Sequence, residues 1–222
     1  MERSDVSGDA GAARWLSVHD DLLRGLAHAF SNRVATVSAI AALFDPSRIP
    51  DERVLSGLRM DADRLEGLLE QMRQLPRRGD ADLEPLMPGD SVRAALALFE
   101  HHPEYRNVRC TVIAADTVQP VRAEPSALQH ALCVALAAAC RVGAGRDGTT
   151  RAGVRVALST EGDVVRIEVS TDGSTGEGEA DALALDAGAI DWLLARSNGR
   201  GHPYPYGCLI ELPTLQASRR AR

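Results

Sequence analysis

Apolar residues return every three or four positions from about residue 13 to residue 44. They are Trp15, Leu16, Leu22, Leu23, Leu26, Phe30, Val34, Val37, Ile40, Ala41 and Phe44. That period places them along one side of a helix. DPSRIP at 45–50 interrupts it with two prolines and an Asp. The period resumes from about 51 to 75 as Val54, Leu55, Leu58, Leu65, Leu68, Leu69, Met72 and Leu75. Two long amphipathic helices on a short connection predict an antiparallel hairpin. Two helices alone cannot cover both stripes, so the pattern also predicts a homodimer whose hairpins close a four-helix bundle.

Beyond PRRGDAD at 76–82, which reads as a linker, the pattern mixes periods. A short strand near 82–86 precedes a helix from about 89 to 102, stopped by Pro103. RCTVIAA (109–115) and PVRA (120–123) read as strands. EPSALQHALCVALAAACRVG (124–143) reads as a buried helix opened by an acid and a proline. RAGVRVALST and DVVRIEVST alternate as the arms of a hairpin around EGD. GAGRDGTT and the Gly-rich STGEGEAD read as loops, DALALDAGAIDWLLARSNG as a helix with a Gly stop, GHPYPYG as a turn, and YGCLIELP as a last strand. The predicted fold class is α+β, a helical hairpin followed by an α/β sandwich. The expected organisation is a disordered 1–11, a hairpin over 12–76, a sandwich over 82–214 and a basic tail over 215–222.

Composition narrows the function classes. The 222 residues carry a net charge of −6, which argues against nucleic acid as the main partner. Only the terminal SRRAR is basic, and a short basic run reads as solvated. No apolar run reaches about 18 residues, so no membrane span is expected. The N-terminus lacks the apolar core of a signal peptide. Cys110, Cys133, Cys140 and Cys208 show no metal-ligand spacing, and free thiols suit a reducing cytoplasm. No histidine pair has metal spacing either, so no metal is expected.

The candidate chemistry lies in GLAHAFSNRVATV, residues 25–37. At about 100° per residue, His28 falls opposite the apolar stripe of the first helix, whereas His19 falls on it. His28 is therefore expected at the surface and His19 inside the bundle. Asn32 follows His28 by one turn on the same face, Arg24 precedes it by one turn, and Arg33 and Ser31 lie near. A cation there would offset negative charge placed beside the imidazole. The other histidines read blandly: His101 and His102 as helix-end residues, His130 as surface or remnant, and His202 as a turn residue.

A helical hairpin with a mid-helix histidine, then a sandwich of this strand–helix order, resembles the histidine kinase core over residues 13–213. That core is a dimerisation and phosphotransfer hairpin followed by an ATP-binding domain. His28-Ala29-Phe30-Ser31-Asn32-Arg33-Val34 resembles the H box, EPSALQHALCVALAAAC the N-box helix, VVRIEVSTDG the strand entering the G1 box, and SNGR with YGCLIELP the closing turn and strand. The resemblance puts Ala138 at the N-box asparagine and Thr171 at the adenine-recognising Asp, with Asp172 beside it. It puts Thr175 at the second G1 glycine, and Ala184 and Asp186 at the G2 glycines. GxGxxG and GxxxxGK[ST] are absent, and GEGEAD is too acidic to cradle a triphosphate. Ala29 stands where the kinases carry an acid that helps deprotonate the attacking imidazole. Transfer from a phosphoaspartate needs less help, because the acyl phosphate is reactive and the receiver domain supplies the divalent metal and a lysine. The resemblance thus implies a histidine phosphotransferase with a degenerate kinase fold, without ATP or another cofactor. Such a protein relays phosphoryl groups between response-regulator receiver domains. The alternatives are a non-catalytic scaffold and an active kinase with divergent boxes.

Overall fold

The computed structural model describes residues 3–44, 51–74, 82–105, 108–143, 153–171 and 179–220. The expected breaks at 45–50, most of the 76–82 linker, GAGRDGTT beyond Gly143 and much of the Gly-rich loop lie outside the described residues. Helix α1 spans Arg3–Ala42 and α2 spans Glu52–Gln74, the two arms of the predicted hairpin. The architecture is the expected α+β, a long helical hairpin followed by a mixed sheet covered by helices.

The sandwich begins with β1 (Glu84–Leu86), α3 (Pro88–Phe99), β2 (Cys110–Ala114) and β3 (Val121–Ala123). It continues with α4 (Pro125–Gly143), β4 (Val154–Glu161), β5 (Val164–Thr171) and α5 (Glu179–Leu194). It closes with β6 (Arg200–Tyr204), β7 (Gly207–Pro213) and α6 (Leu215–Arg220). The main sheet has the order β2-β4-β5-β7-β6, and β1 pairs with β3 in a separate ribbon. Strand β2 runs parallel to β4, and the other pairs are antiparallel. The register aligns Val156 with Val169, Leu158 with Ile167, and Ile167 with Ile210, so one face is uniformly apolar. That face shares its core with Leu128, Leu132 and Leu136 of α4. The alternate face is charged, with Arg166 bridging Glu161 at 2.8 Å and Glu211 at 3.3 Å.

Helix α4 is apolar on every side because it is buried on every side. Its length and composition would suffice to cross a membrane, contrary to the expectation that no such run exists. However, 89% of that window is covered by the rest of the fold, as for a central core helix.

Several expectations need correction. Residues 3–11 are helical rather than disordered, because α1 runs on across the sandwich. Gly11 is buried there, and a Cβ would stand 3.3 Å from the Ala189 Cα and the Trp192 Cβ of α5. His130 is not at the surface, since Trp15 of α1 covers it edge-on at 4.8 Å and leaves it 4% exposed. His19 sits 6.1 Å from His130 and 5.5 Å from Trp15, so it belongs to the joint with the sandwich rather than to a bundle interior. His202 lies in strand β6, not in a turn. As an edge strand β6 tolerates Pro203, and the turn itself is only Pro205-Tyr206, with Tyr206 at φ 67°. Residues 215–220 of the expected tail form a short helix. Its cap is Thr214, whose hydroxyl accepts the Ala217 N–H at 3.1 Å, and Arg220 reaches Asp163 at 3.3 Å.

The hairpin and sandwich meet along the first half of α1. Val18, Leu22 and Leu26, at successive four-residue steps, are buried in the common core. Asp186 of α5 is wholly buried and clasped by Arg14 of α1 and Arg141 of α4. The two guanidiniums make that carboxylate tolerable in the interior.

Candidate functional site

Leu22 and Leu26 face inward, so helical geometry turns His28 outward, and it is exposed. It lies on a groove of about 820 Å³ with three walls. Helix α1 supplies Arg24, Gly25, His28, Asn32, Arg33 and Thr36; α2 supplies Arg64, Gly67, Leu68 and Gln71; the turn after α3 supplies Glu100, His101 and Pro103. The structure thus brings together four of the residues singled out in the sequence, His28, Asn32, Arg24 and Arg33. Ser31 is exposed on α1 but does not line the groove.

Asn32 Nδ2 lies 3.1 Å from His28 Nε2. An amide N–H only donates, so Nε2 takes part through its lone pair and the proton of the neutral ring sits on Nδ1. In that tautomer the ring's free lone pair is on Nε2. The cations around it are held by acids. Arg24 contacts Asp21 at 3.2 Å. Arg33 of α1 and Arg64 of α2 both reach the same Asp61 oxygen, at 3.2 and 3.4 Å. Asp61 is only 6% exposed. Asp61 and Arg64 are missing from the sequence reading, yet a signal existed: Asp61 interrupts the stripe of Leu58, Leu65, Leu68 and Met72 at helical spacing.

The third wall comes from the sandwich. Gly25 allows it, since a Cβ there would fall 1.7 Å from the His101 carbonyl oxygen. His102 is buried, stacks on Tyr105 at 4.5 Å, and approaches Asp21 of α1 at 4.0 Å. Asp21, Gly25 and His28 therefore form one stripe of α1 along which the turn lies. His101 and His102 belong to that turn rather than to the end of α3, which stops at Phe99. Burial lowers the His101 pKa below its ordinary value, and the neighbouring Glu100 carboxylate offsets part of that shift.

Four of the positions matched to the nucleotide boxes are among the described residues. Ala138 is fully buried in α4. The Thr171 hydroxyl donates to the Gly153 carbonyl at 3.0 Å, and its N–H bonds the Tyr206 carbonyl at 3.1 Å. Asp186 is engaged by its two arginines, while Ala184 is exposed. Asp172 and Thr175 lie outside the described residues.

No protein-family model matches the chain, and no curated protein matches it. Solved structures similar to it are histidine kinases. One is the Acinetobacter baumannii histidine kinase AdeS, at 14% identity and TM-score 0.48, covering 85% of this chain and 98% of that one. Another is the mycobacterial sensor histidine kinase MprB, at 16% identity and TM-score 0.45, covering 60% and 97%. A third is the histidine kinase ThkA in complex with the response regulator protein TrrA, at 13% identity and TM-score 0.45. It covers 90% of this chain and 63% of that one, so the chain spans under two thirds of ThkA's length there. Identities of this size concern the fold alone.

Proposed function

We propose that this chain is a histidine phosphotransfer protein of two-component signalling, working in the cytoplasm without ATP. His28 takes a phosphoryl group from one receiver aspartate and gives it to another. In the first step the Nε2 lone pair forms the N–P bond. The aspartyl O–P bond breaks with its electrons returning to the carboxylate, and the Nδ1 proton leaves to water. In the second step Nδ1 regains a proton and the N–P bond breaks in favour of the second aspartate. The receiver's own metal and lysine carry most of the charge development, so this chain contributes position and cations.

The observation that carries this reading is the Asn32 contact to His28 Nε2 inside a groove lined by Arg24, Arg33 and Arg64. An exposed imidazole whose Nε2 meets an amide nitrogen, beside guanidiniums, suits a phosphoryl acceptor. The Asn32 N–H that caps Nε2 is also placed to donate to a phosphoryl oxygen once the N–P bond exists. Beyond the groove, Val34 to Ala42 is largely exposed and alanine-rich, which suits close approach by a receiver. Leu16, Leu23 and Val34 of α1 and Met60 and Leu69 of α2 remain 38–50% exposed, which suits the homodimeric bundle. Thr171 and Asp186, both engaged within the fold, favour a relay over a kinase. Ala29 in place of an acid favours a second reading, a scaffold that binds receivers without taking phosphate. Incubation with phosphorylated receiver domains separates the two. A relay acquires acid-labile phosphate that His28→Gln abolishes, and a scaffold acquires none.

A further inference from the structure

Asp61 has no part in the chemistry described so far, and Arg64 enters it only as a residue lining the groove. Asp61 is a nearly buried carboxylate in the apolar stripe of α2. Such a group requires partners, and among the described residues Arg33 across the hairpin and Arg64 one turn along its own helix both reach it. Both guanidiniums converge on one oxygen atom, Oδ1. Tying α1 to α2 needs only the Arg33 contact. Arg64 is half exposed, at i+3 on the same helix, and a pair of that kind adds little stability. The cluster instead sets two like charges side by side against a single negative one, with both arginines on the groove that His28 lines. An arrangement with surplus positive charge is completed by an anion, and guanidiniums present several further N–H donors to one.

We infer that Asp61 is a positioning residue that holds Arg33 and Arg64 as the phosphoryl-binding wall of the groove, a role resting on the reading of His28 as the phosphoacceptor. The phosphoryl oxygens on His28 are the anion this wall receives. Arg64 is the group whose loss reports on it, because its removal leaves the Arg33–Asp61 tie between the helices intact.

The test uses the full chain phosphorylated with phosphoramidate, a small-molecule donor that needs no receiver. Titration of the phosphohistidine by 31P NMR reads the field at the phosphoryl group. In Arg64→Ala its second ionisation moves up by about half a unit, because a neighbouring cation favours the dianion. Transfer to a receiver slows about tenfold in kcat, as expected for the loss of one charge-assisted hydrogen bond. The thermal midpoint stays within about 2 °C of wild type, as for loss of a weak exposed pair. Asp61→Asn also slows transfer, and Asp61→Glu restores part of the rate. Arg59→Ala, on α2 but outside the groove, leaves both readouts unchanged. An Arg64→Ala protein with wild-type titration and rate overturns this inference while leaving His28 as the acceptor. A wild-type chain that takes no label from phosphoramidate or from a phosphorylated receiver overturns both.

Discussion

His28 and Asn32 are one helical turn apart, and the amide N–H meets the nitrogen that would bond phosphorus. Two substitutions separate the possible uses of that contact. Asn32→Ala removes a donor and slows transfer about tenfold, the usual scale for one hydrogen bond to a charged group. Asn32→Asp slows it further, because a carboxylate repels the incoming phosphoryl group. Stopped-flow transfer from a phosphorylated receiver measures both, and equal rates for the two variants would contradict the assigned role. His28, Asn32, Arg24 and Arg33 were legible in the sequence because they share one helix and helical spacing alone places them together. Arg64 and His101 were not, because nothing local says that α2 and the turn after α3 meet α1 at that height. Asp61 and Gly25 left traces, a charge inside an apolar stripe and a glycine inside a helix. Each trace becomes specific only once its contact is known.

At the scale of elements, Gly25 is where the turn after α3 packs directly against α1. Helix propensity alone predicts that Gly25→Ala stabilises α1 by about 1 kcal/mol. The structure predicts the opposite sign. A Cβ at 1.7 Å from the His101 carbonyl oxygen must push the turn away, at about 2 kcal/mol or more for an overpacked joint. Urea denaturation decides the sign. The same turn gives the joint a pH dependence. The burial-lowered pKa of His101 means that, between its folded value and 6.5, the unfolded chain binds more protons than the folded one. Stability therefore rises with pH across that window and is lost as pH falls from 6.5 through the folded value. The urea midpoint should drop between about pH 7 and about pH 5.5 by more in wild type than in His101→Gln. The elements themselves were largely visible in the periodicity, including the hairpin, α4 and the β4–β5 pair. Strand β6 escaped notice because Pro203 and Pro205 of GHPYPYG together read as a turn, and only an edge position makes Pro203 compatible with pairing.

At the scale of the whole molecule, α1 is shared by two units. Its first half closes over α4 and α5, and its second half carries His28 out beside α2. Asp186, buried between Arg14 and Arg141, is the ionic centre of that closure. Its removal leaves two arginines facing each other without a counter-ion. Asp186→Ala should therefore cost about 3–5 kcal/mol, the range for breaking a buried pair. It should also split the single unfolding transition into separate hairpin and sandwich steps in calorimetry, and a single unshifted transition would contradict that view of the joint. The sequence hinted at none of this, because residues 1–11 hold little that is apolar, yet α1 already begins at Arg3. The apolar edge of the hairpin left open by the single chain predicts a dimer by sedimentation equilibrium, with Leu23→Glu shifting it toward monomer.

The central claim is that His28 is a phosphoryl relay point. The most direct measurement mixes the unphosphorylated chain with a radiolabelled phospho-receiver and a second receiver, in the absence of nucleotide, and follows the label. The account predicts label on the wild-type chain that is acid-labile and base-stable, then on the second receiver, and on neither with His28→Gln. Label reaching the second receiver at the wild-type rate through His28→Gln would contradict it.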